Sequence, residues 1–309
     1  MRVELTQRSQ AAVNEELVKR ATDTIGEAVR VAIDRESRGL DAEAAWGRVR
    51  TAVQRLFALG VVLGVGSVNA RVGQPMPAPR SPGPARFAAV DVSGELAELG
   101  FAEAADAFEP LIPGVEELLA QASDAAAGVA DEVSSGVRAD ARASIERVRT
   151  RLGADATPAQ IAAAAAPDPR AQVETIIRTT TQRAFNEGGR QQLQANTDTI
   201  PVYRLDEIRD LRTRGNPRGT DPEGGFHWQM DGFIAYADDP VWNRIWPPNG
   251  WNCRATVVGL TIAQAARKGY MERDGTITPE NRARVEAETR TQRAIIDRGD
   301  YPDPGFTGI

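Results

Sequence analysis

Aromatic residues crowd into one short stretch of this chain. Seven of its 17 phenylalanine, tryptophan and tyrosine residues lie between Phe226 and Trp251, and they include four of the five tryptophans. Large rings dominate the burial of a small core. The stretch is bracketed by Pro247-Pro248 and Gly250, so it reads as a small α+β core with irregular loops.

The residues before it have a different character. The first half is rich in alanine and helical in pattern. Val3 to Arg38 alternates apolar and charged residues at helical spacing and stops at Gly39. Asp41 is placed to cap a second helix that carries Trp46, Val49, Val53, Leu56 and Phe57. Residues 74–86 contain five prolines, which block helix and favour an extended linker. Val115 to Leu152 reads as a long helix ending at Gly153. Thr157-Pro158-Ala159-Gln160 has the signature of a capping box, and that helix is expected to stop at Pro167-Asp168-Pro169.

From Arg170 to Gln194 the pattern predicts an amphipathic helix with Val173, Ile176, Ile177, Thr180 and Ala184 on one stripe. A strand is expected over Val202 to Leu211. Thr261 with Gln264, and Thr278 with Pro279, mark the starts of two more helices, the second ending near Gly299. The fold class is therefore α+β, a mainly helical N-terminal region followed by a small α+β domain. The expected divisions are 1–73 (helical), 74–86 (linker), 87–169 (acidic and helical) and 170–309 (α+β).

Composition excludes several classes. One Cys and one His rule out an internal disulfide framework and any zinc site built on four cysteines or on two cysteines and two histidines. The longest apolar run, Leu56 to Val68, falls short of the ~20 residues that a bilayer demands, and it lies too far from the start and lacks the small-residue cleavage site expected of a signal peptide. The chain is expected to be soluble, with no membrane partner. Net charge is −6, and residues 170–309 balance 19 basic against 19 acidic groups, so neither half resembles a strongly basic DNA-coating domain.

Two charge patterns bear on partners. Phe87 to Val137 holds eleven acidic residues and no Lys or Arg, which is a solvated face or a contact for a basic partner. Arg204, Arg209, Arg212, Arg214 and Arg218 lie close together, but Asp206, Glu207 and Asp210 interleave with them. The most that this field supports is weak, non-specific, salt-sensitive DNA contact.

His227, Asp231 and Cys253 are the residues on which chemistry would rest. A Cys/His pair makes a thiolate nucleophile when a third group, here Asn252 or Asp231, orients the imidazole. A metal site would draw on His227, Asp231, Cys253 and a further carboxylate such as Asp210. No oxyanion-hole motif accompanies the first, and no paired short spacing the second. A lone His or Cys is more often packed or hydrogen-bonded. Structural roles are therefore favoured, with His227 and Asp231 bonded to loop backbone and Arg212, Arg214 and Arg254 paired with carboxylates through the planar guanidinium. No catalytic residue, cofactor or metal is assigned from the sequence.

One resemblance ties these landmarks together. The order runs from Arg178, Thr179, Arg183, Asn186 and Gly189-Arg190 to Asp210-Leu211-Arg212-Thr213-Arg214. It continues with His227, Asp231-Gly232, Trp242 and Pro247-Pro248. Gly250-Trp251-Asn252-Cys253-Arg254 and Pro302-Asp303-Pro304-Gly305-Phe306 close it. It resembles the phage Mu F-like, or head morphogenesis, family. The chain departs from that family where Cys253-Arg254-Ala255 stands in place of Cys-Arg-Cys, and in a longer stretch between Arg214 and His227.

The resemblance implies a minor head protein of a tailed bacteriophage or prophage. Such a protein is present in the virion in few copies, bound to the portal protein or to other head proteins, and acts in head assembly and DNA delivery. An enzyme or toxin-like module using His227, Asp231 and Cys253 is the alternative.

Overall fold

The computed structural model describes residues 7–72 and 115–306. The proline-rich segment 74–86 and the acidic residues 87–114 lie outside that set. The described chain forms α1 (Gln7–Ser37), α2 (Glu43–Val72), α3 (Val115–Leu152), α4 (Pro158–Ala165) and α5 (Pro167–Gln194). These are followed by β1 (Val202–Asp206), α6 (His227–Met230), β2 (Ile234–Tyr236), α7 (Trp242–Ile245), β3 (Thr256–Leu260), α8 (Ile262–Arg267) and α9 (Pro279–Asp297). The architecture is α+β.

Local chemistry explains most boundaries. Asp41 Oδ1 accepts from the Glu43 N–H at 2.9 Å and so starts α2. Thr157, Thr261 and Thr278 each cap a helix, reciprocated by Gln160, Gln264 and Asn281 three residues on. Pro167 opens α5 three residues before the expected start, because a proline in the first helical turn gives up no N–H that the helix would use.

The first five helices share one apolar core. It takes Ile25, Val29 and Ile33 from α1, Val49, Val53 and Phe57 from α2, and Ala126, Val133, Val137 and Ile145 from α3. Ile161 and Ala165 come from α4, and Val173, Ile177, Ala184 and Phe185 from α5. Helix α2 runs through the middle, packed chiefly on α5 and α3. Its segment Glu43–Val68 is long and apolar enough to cross a bilayer, but 78% of the apolar window is buried inside the protein. Its glycines let it approach α5 closely. A Cβ on Gly64 would collide with the Phe185 carbonyl, and one on Gly188 with that of Val61.

Charges rim the bundle. Glu36 of α1 receives Arg142 of α3 at 3.1 Å and the Trp46 indole N–H at 2.9 Å, while Arg138 pairs with Glu43 and Arg50 of α2 with Asp131. Asp131 belongs to the acidic stretch, and its counter-charge comes from α2. The arginines that follow the stretch, Arg138 and Arg142, turn to α1 and α2 instead.

The sheet has the order β2-β1-β3 and is antiparallel throughout, with Val202 opposite both Tyr236 and Leu260. Alternation along β1 sends Tyr203 and Leu205 into one apolar cluster and Val202 into another. The first cluster gathers Leu193 of α5, Phe233, Trp242, Ile245, Cys253, Ile295, Ile296 and Tyr301. The second packs Tyr236 and Leu260 against Ala265, Tyr270 and Val285. The aromatic crowding does build this core: Trp242 is edge-on to Phe233 and to Trp246, and tilted against Tyr203.

The strand expected over Val202 to Leu211 ends earlier, at Asp206. Glu207 turns its side chain inward, and Asp210 folds the next residues into turns, accepting from the Arg212 N–H at 2.9 Å. Side-chain bonds replace the ladder there.

Candidate functional site

Three segments converge at one end of the sheet. The register that pairs Asp206 with Thr256 and Arg204 with Ile234 puts the exit of β1, the entry to β3 and the entry to β2 side by side. Glu207 follows β1, Cys253 precedes β3, and His227 sits on the one-turn helix ahead of β2. Tyr301 and Asp303, beyond α9, close the end.

Their side chains make one buried network. His227 and Cys253 are 3% and 4% exposed. His227 Nδ1 lies 3.2 Å from Glu207 Oε1, and Nε2 lies 3.1 Å from Asp303 Oδ1. The Tyr301 hydroxyl donates to Glu207 Oε1 at 3.3 Å and accepts from Asn249 Nδ2 at 2.7 Å. The Tyr301 ring stands edge-on to the imidazole, with centroids 5.2 Å apart. Arg214 binds Asp303 and also reaches Nε2 of His227, with Nη2 at 2.8 Å. Gly250 leaves room for that pair, since a Cβ there would run into Asp303 and Arg214.

The electrostatics favour positive charge on the ring. Burial works against protonation of His227, but hydrogen bonds to Asp303, Cys253 and Glu207 outweigh it and push the pKa up to about 11. An unprotonated Nε2 would accept from Arg214, whereas a protonated one donates to Asp303. We assign the proton to Nε2, because Arg214 already has the Asp303 carboxylate as its acceptor and two carboxylates flank the ring. Burial likewise raises the Asp303 carboxyl, and the bonds to His227 and Arg214 overcome it and hold the group below its usual range. Desolvation keeps the fully enclosed Tyr301 phenol protonated, its pKa far above normal.

Cys253 is placed by its neighbours. Asn252 adopts φ 57°, a left-handed conformation that asparagine tolerates better than most residues. Its N–H donates to Thr179 Oγ1 of α5 at 3.1 Å. Trp251 is thereby left 49% exposed against Phe306, while Cys253 turns inward. Next to it, Ala255 O accepts from Gln182 and from Asn186, at 2.8 and 2.9 Å. The Trp246 indole donates to Asn186 O at 3.0 Å. Helix α5 thus anchors the whole Cys253-Arg254-Ala255 segment.

The other expected residues fall around this centre. Arg254 forks onto Asp210 at 2.6 and 2.7 Å and holds that carboxyl well below the usual range. Thr213 reaches back to Ile208 O, and Asn216 Nδ2 donates to Asp210 O at 2.8 Å. Arg212 lies 3.7 Å from Asp210, and Arg178 pairs with Glu174 at 3.1 Å. Gly232, in a left-handed turn, donates to Leu205 O at 2.8 Å. Trp242 donates to Tyr236 O at 2.9 Å, and Pro247 and Pro248 precede Asn249. Arg183 Nη1 is buried without a hydrogen-bond partner among the described residues.

Two expectations are corrected. Asp231 does not orient His227: its carboxylate accepts from the Glu207 N–H at 3.1 Å and faces Arg209 at 3.6 Å. Asp210 is no member of the Cys/His cluster, being engaged by Arg254. The ring's partners are Glu207 and Asp303. Asp303 stood within the closing Pro-Asp-Pro motif, whereas Glu207, Asn249 and Tyr301 carried no local signal, since only strand pairing brings them in. Among the described residues, Glu207, His227 and Cys253 are a group able to hold a metal ion, with donor atoms all within 4.8 Å of one another.

His227 and Cys253 therefore meet, but inside the protein. A crevice elsewhere, lined by Gly64, Val68, Phe185, Leu193 and Gly259, has only about 10 Å³ of free space, room for a single water.

A helical bundle fused to a small antiparallel sheet, with a closed polar centre of Cys, His and carboxylates, defines the class. Residues 140–258 match the family model described as Phage Mu protein F like protein. Across that segment the chain is similar to the phage Mu F-like family. It is similar to the Mu-like prophage FluMu F protein of Haemophilus influenzae, 33% identical over 98 residues, covering 32% of this chain and 21% of that protein. It is also similar to the putative capsid assembly protein F of Escherichia phage Mu, 29% identical over 147 residues, covering 44% of this chain and 31% of that protein. These matches thus span less than a third of either relative's length. No solved structure matches.

Proposed function

We propose that this protein is a minor head protein of a tailed bacteriophage or prophage, working in capsid assembly by binding other head proteins. The observation that carries the reading is the match of residues 140–258 to the Mu F-like family, together with a relative named a putative capsid assembly protein. Its place in the virion would be the portal vertex or the capsid interior, with the portal protein as partner. A role in DNA delivery belongs to the same reading. DNA contact is secondary in it. Arg204, Arg209, Arg212 and Arg214 face Asp206, Asp231, Asp210 and Asp303, so most of that charge is spent within the protein.

The enzyme reading has one observation in its favour, the meeting of His227 and Cys253. Their burial weighs against it, because a nucleophile needs an approach for its substrate.

Binding of the portal protein tests the proposal. Purified protein should be retained by the portal protein of the same phage at low salt. Retention should fall at high salt, since screening shortens the reach of the acidic stretch to ~10 Å or less. Failure of retention at both salt concentrations would refute the portal as partner.

A further inference from the structure

Glu207, His227 and Cys253 bring an oxygen, a nitrogen and a sulfur donor to one buried point, from three separate chain segments. We infer that these three residues bind one divalent cation of the zinc class.

The donor set selects the ion. Thiolate and imidazole suit zinc and its softer neighbours, while magnesium and calcium require shells of oxygen. The dimensions agree. A tetrahedral ion with bonds of about 2.0–2.3 Å holds its ligand atoms about 3.3–3.8 Å apart. Here Glu207 Oε1 and His227 Nδ1 are 3.2 Å apart, and no separation in the group exceeds 4.8 Å. Side-chain rotations of an ångström or less close that gap.

The surroundings supply what a metal-bound imidazole needs. Its second nitrogen, Nε2, faces the Asp303 carboxylate at 3.1 Å, and Arg214 pins that carboxylate. An outer carboxylate of this kind fixes the ring and raises its basicity as a ligand. Asp210 and Asp303 each have an arginine, yet no arginine lies within ion-pair distance of Glu207 among the described residues. Its partners are the imidazole and the Tyr301 hydroxyl. Without a metal the positive charge on the His227 ring balances this buried carboxylate, and a bound cation takes the place of the Nδ1 proton.

Binding exchanges protons for the ion. Cys253 coordinates as thiolate and His227 through the Nδ1 lone pair, both protons leaving to solvent, while Nε2 keeps its proton on Asp303. Three protein donors leave a fourth position for water.

The test uses the untagged full chain, stripped with a chelator and then equilibrated with zinc or cobalt(II). One ion per chain is expected. The cobalt form should show a thiolate charge-transfer band and the visible absorption of a tetrahedral site. Glu207→Gln and Asp303→Asn should each weaken binding by about ten-fold or more, and Cys253→Ser should abolish the charge-transfer band. Substoichiometric metal, a cobalt spectrum without the sulfur band, or a Glu207→Gln chain that binds as tightly as the parent would overturn the site. Where Cys253→Ser does not fold, the parent's cobalt spectrum and Glu207→Gln decide the matter. Portal retention is read in a separate assay, so the failure of one proposal leaves the other standing.

Discussion

Arg254 lies next to Cys253 in sequence, and its guanidinium crosses to Asp210 in the loop that follows β1. The pair joins the two irregular segments that flank the buried centre. Arg254 lowers the Asp210 carboxyl well below the ~3.9 of an unfolded aspartate. A depressed folded pKa contributes stability that is fully present above the unfolded value and is lost as pH falls through the folded one. At neutral pH, Asp210→Asn should therefore cost about 1–2 kcal/mol, the lower part of the range for charged hydrogen bonds because solvent screens a partly exposed pair. Denaturant midpoints should show the penalty shrinking as the pH drops below about 3.9. An unchanged penalty at low pH would mean that the charge contributes nothing.

Between elements, the tightest constraint is the crossing of α2 and α5. Gly60, Gly64 and Gly188 are small enough for the backbones to touch, and a methyl group at Gly64 or Gly188 meets a carbonyl on the opposite helix. Helices that pack without side chains between them cannot yield by a rotamer change. Gly64→Ala is expected to cost about 1–3 kcal/mol through overpacking. Gly136, within α3, has open space around its Cβ position. Alanine there should instead gain up to about 1 kcal/mol, the difference in helix propensity. Thermal unfolding of the two variants checks the opposite signs, and a neutral Gly64→Ala would mean that the helices are not in such close contact.

For the molecule as a whole, the proline-rich segment 74–86 joins parts that share a core. Helices α1 and α2 precede it, α3, α4 and α5 follow it, and all five contribute to one apolar cluster. Five prolines and few apolar residues make 74–86 the expected first site of limited proteolysis. A chain nicked there should migrate as two bands under denaturing conditions and elute as one species under native conditions. Two separately eluting fragments would show that the helical core does not hold the parts together. First cuts within 226–260 would contradict the compact aromatic core.

Sequence periodicity and punctuation carried much of the architecture. The limits of α3, the caps at Thr157, Thr261 and Thr278 and the aromatic core were all legible, because each depends on residues within a few positions of one another. The resemblance to the phage Mu F-like family was legible too, from the order of motifs running from Arg178 to Asp303. Other features were decided by tertiary structure. β1 stops at Asp206 because Glu207 is drawn into the interior, a preference set by His227 and Tyr301, 20 and 94 residues away. Asp231 is only four residues from His227 in sequence, but the chain turn at Gly232 directs it to the backbone of Glu207. The ring's own partner, Asp303, is 76 residues distant. Distant contacts of this kind arise from strand register, which no local pattern encodes. The apolar run of α2 had the same limit: its glycines were visible, but the helix lying against them was not.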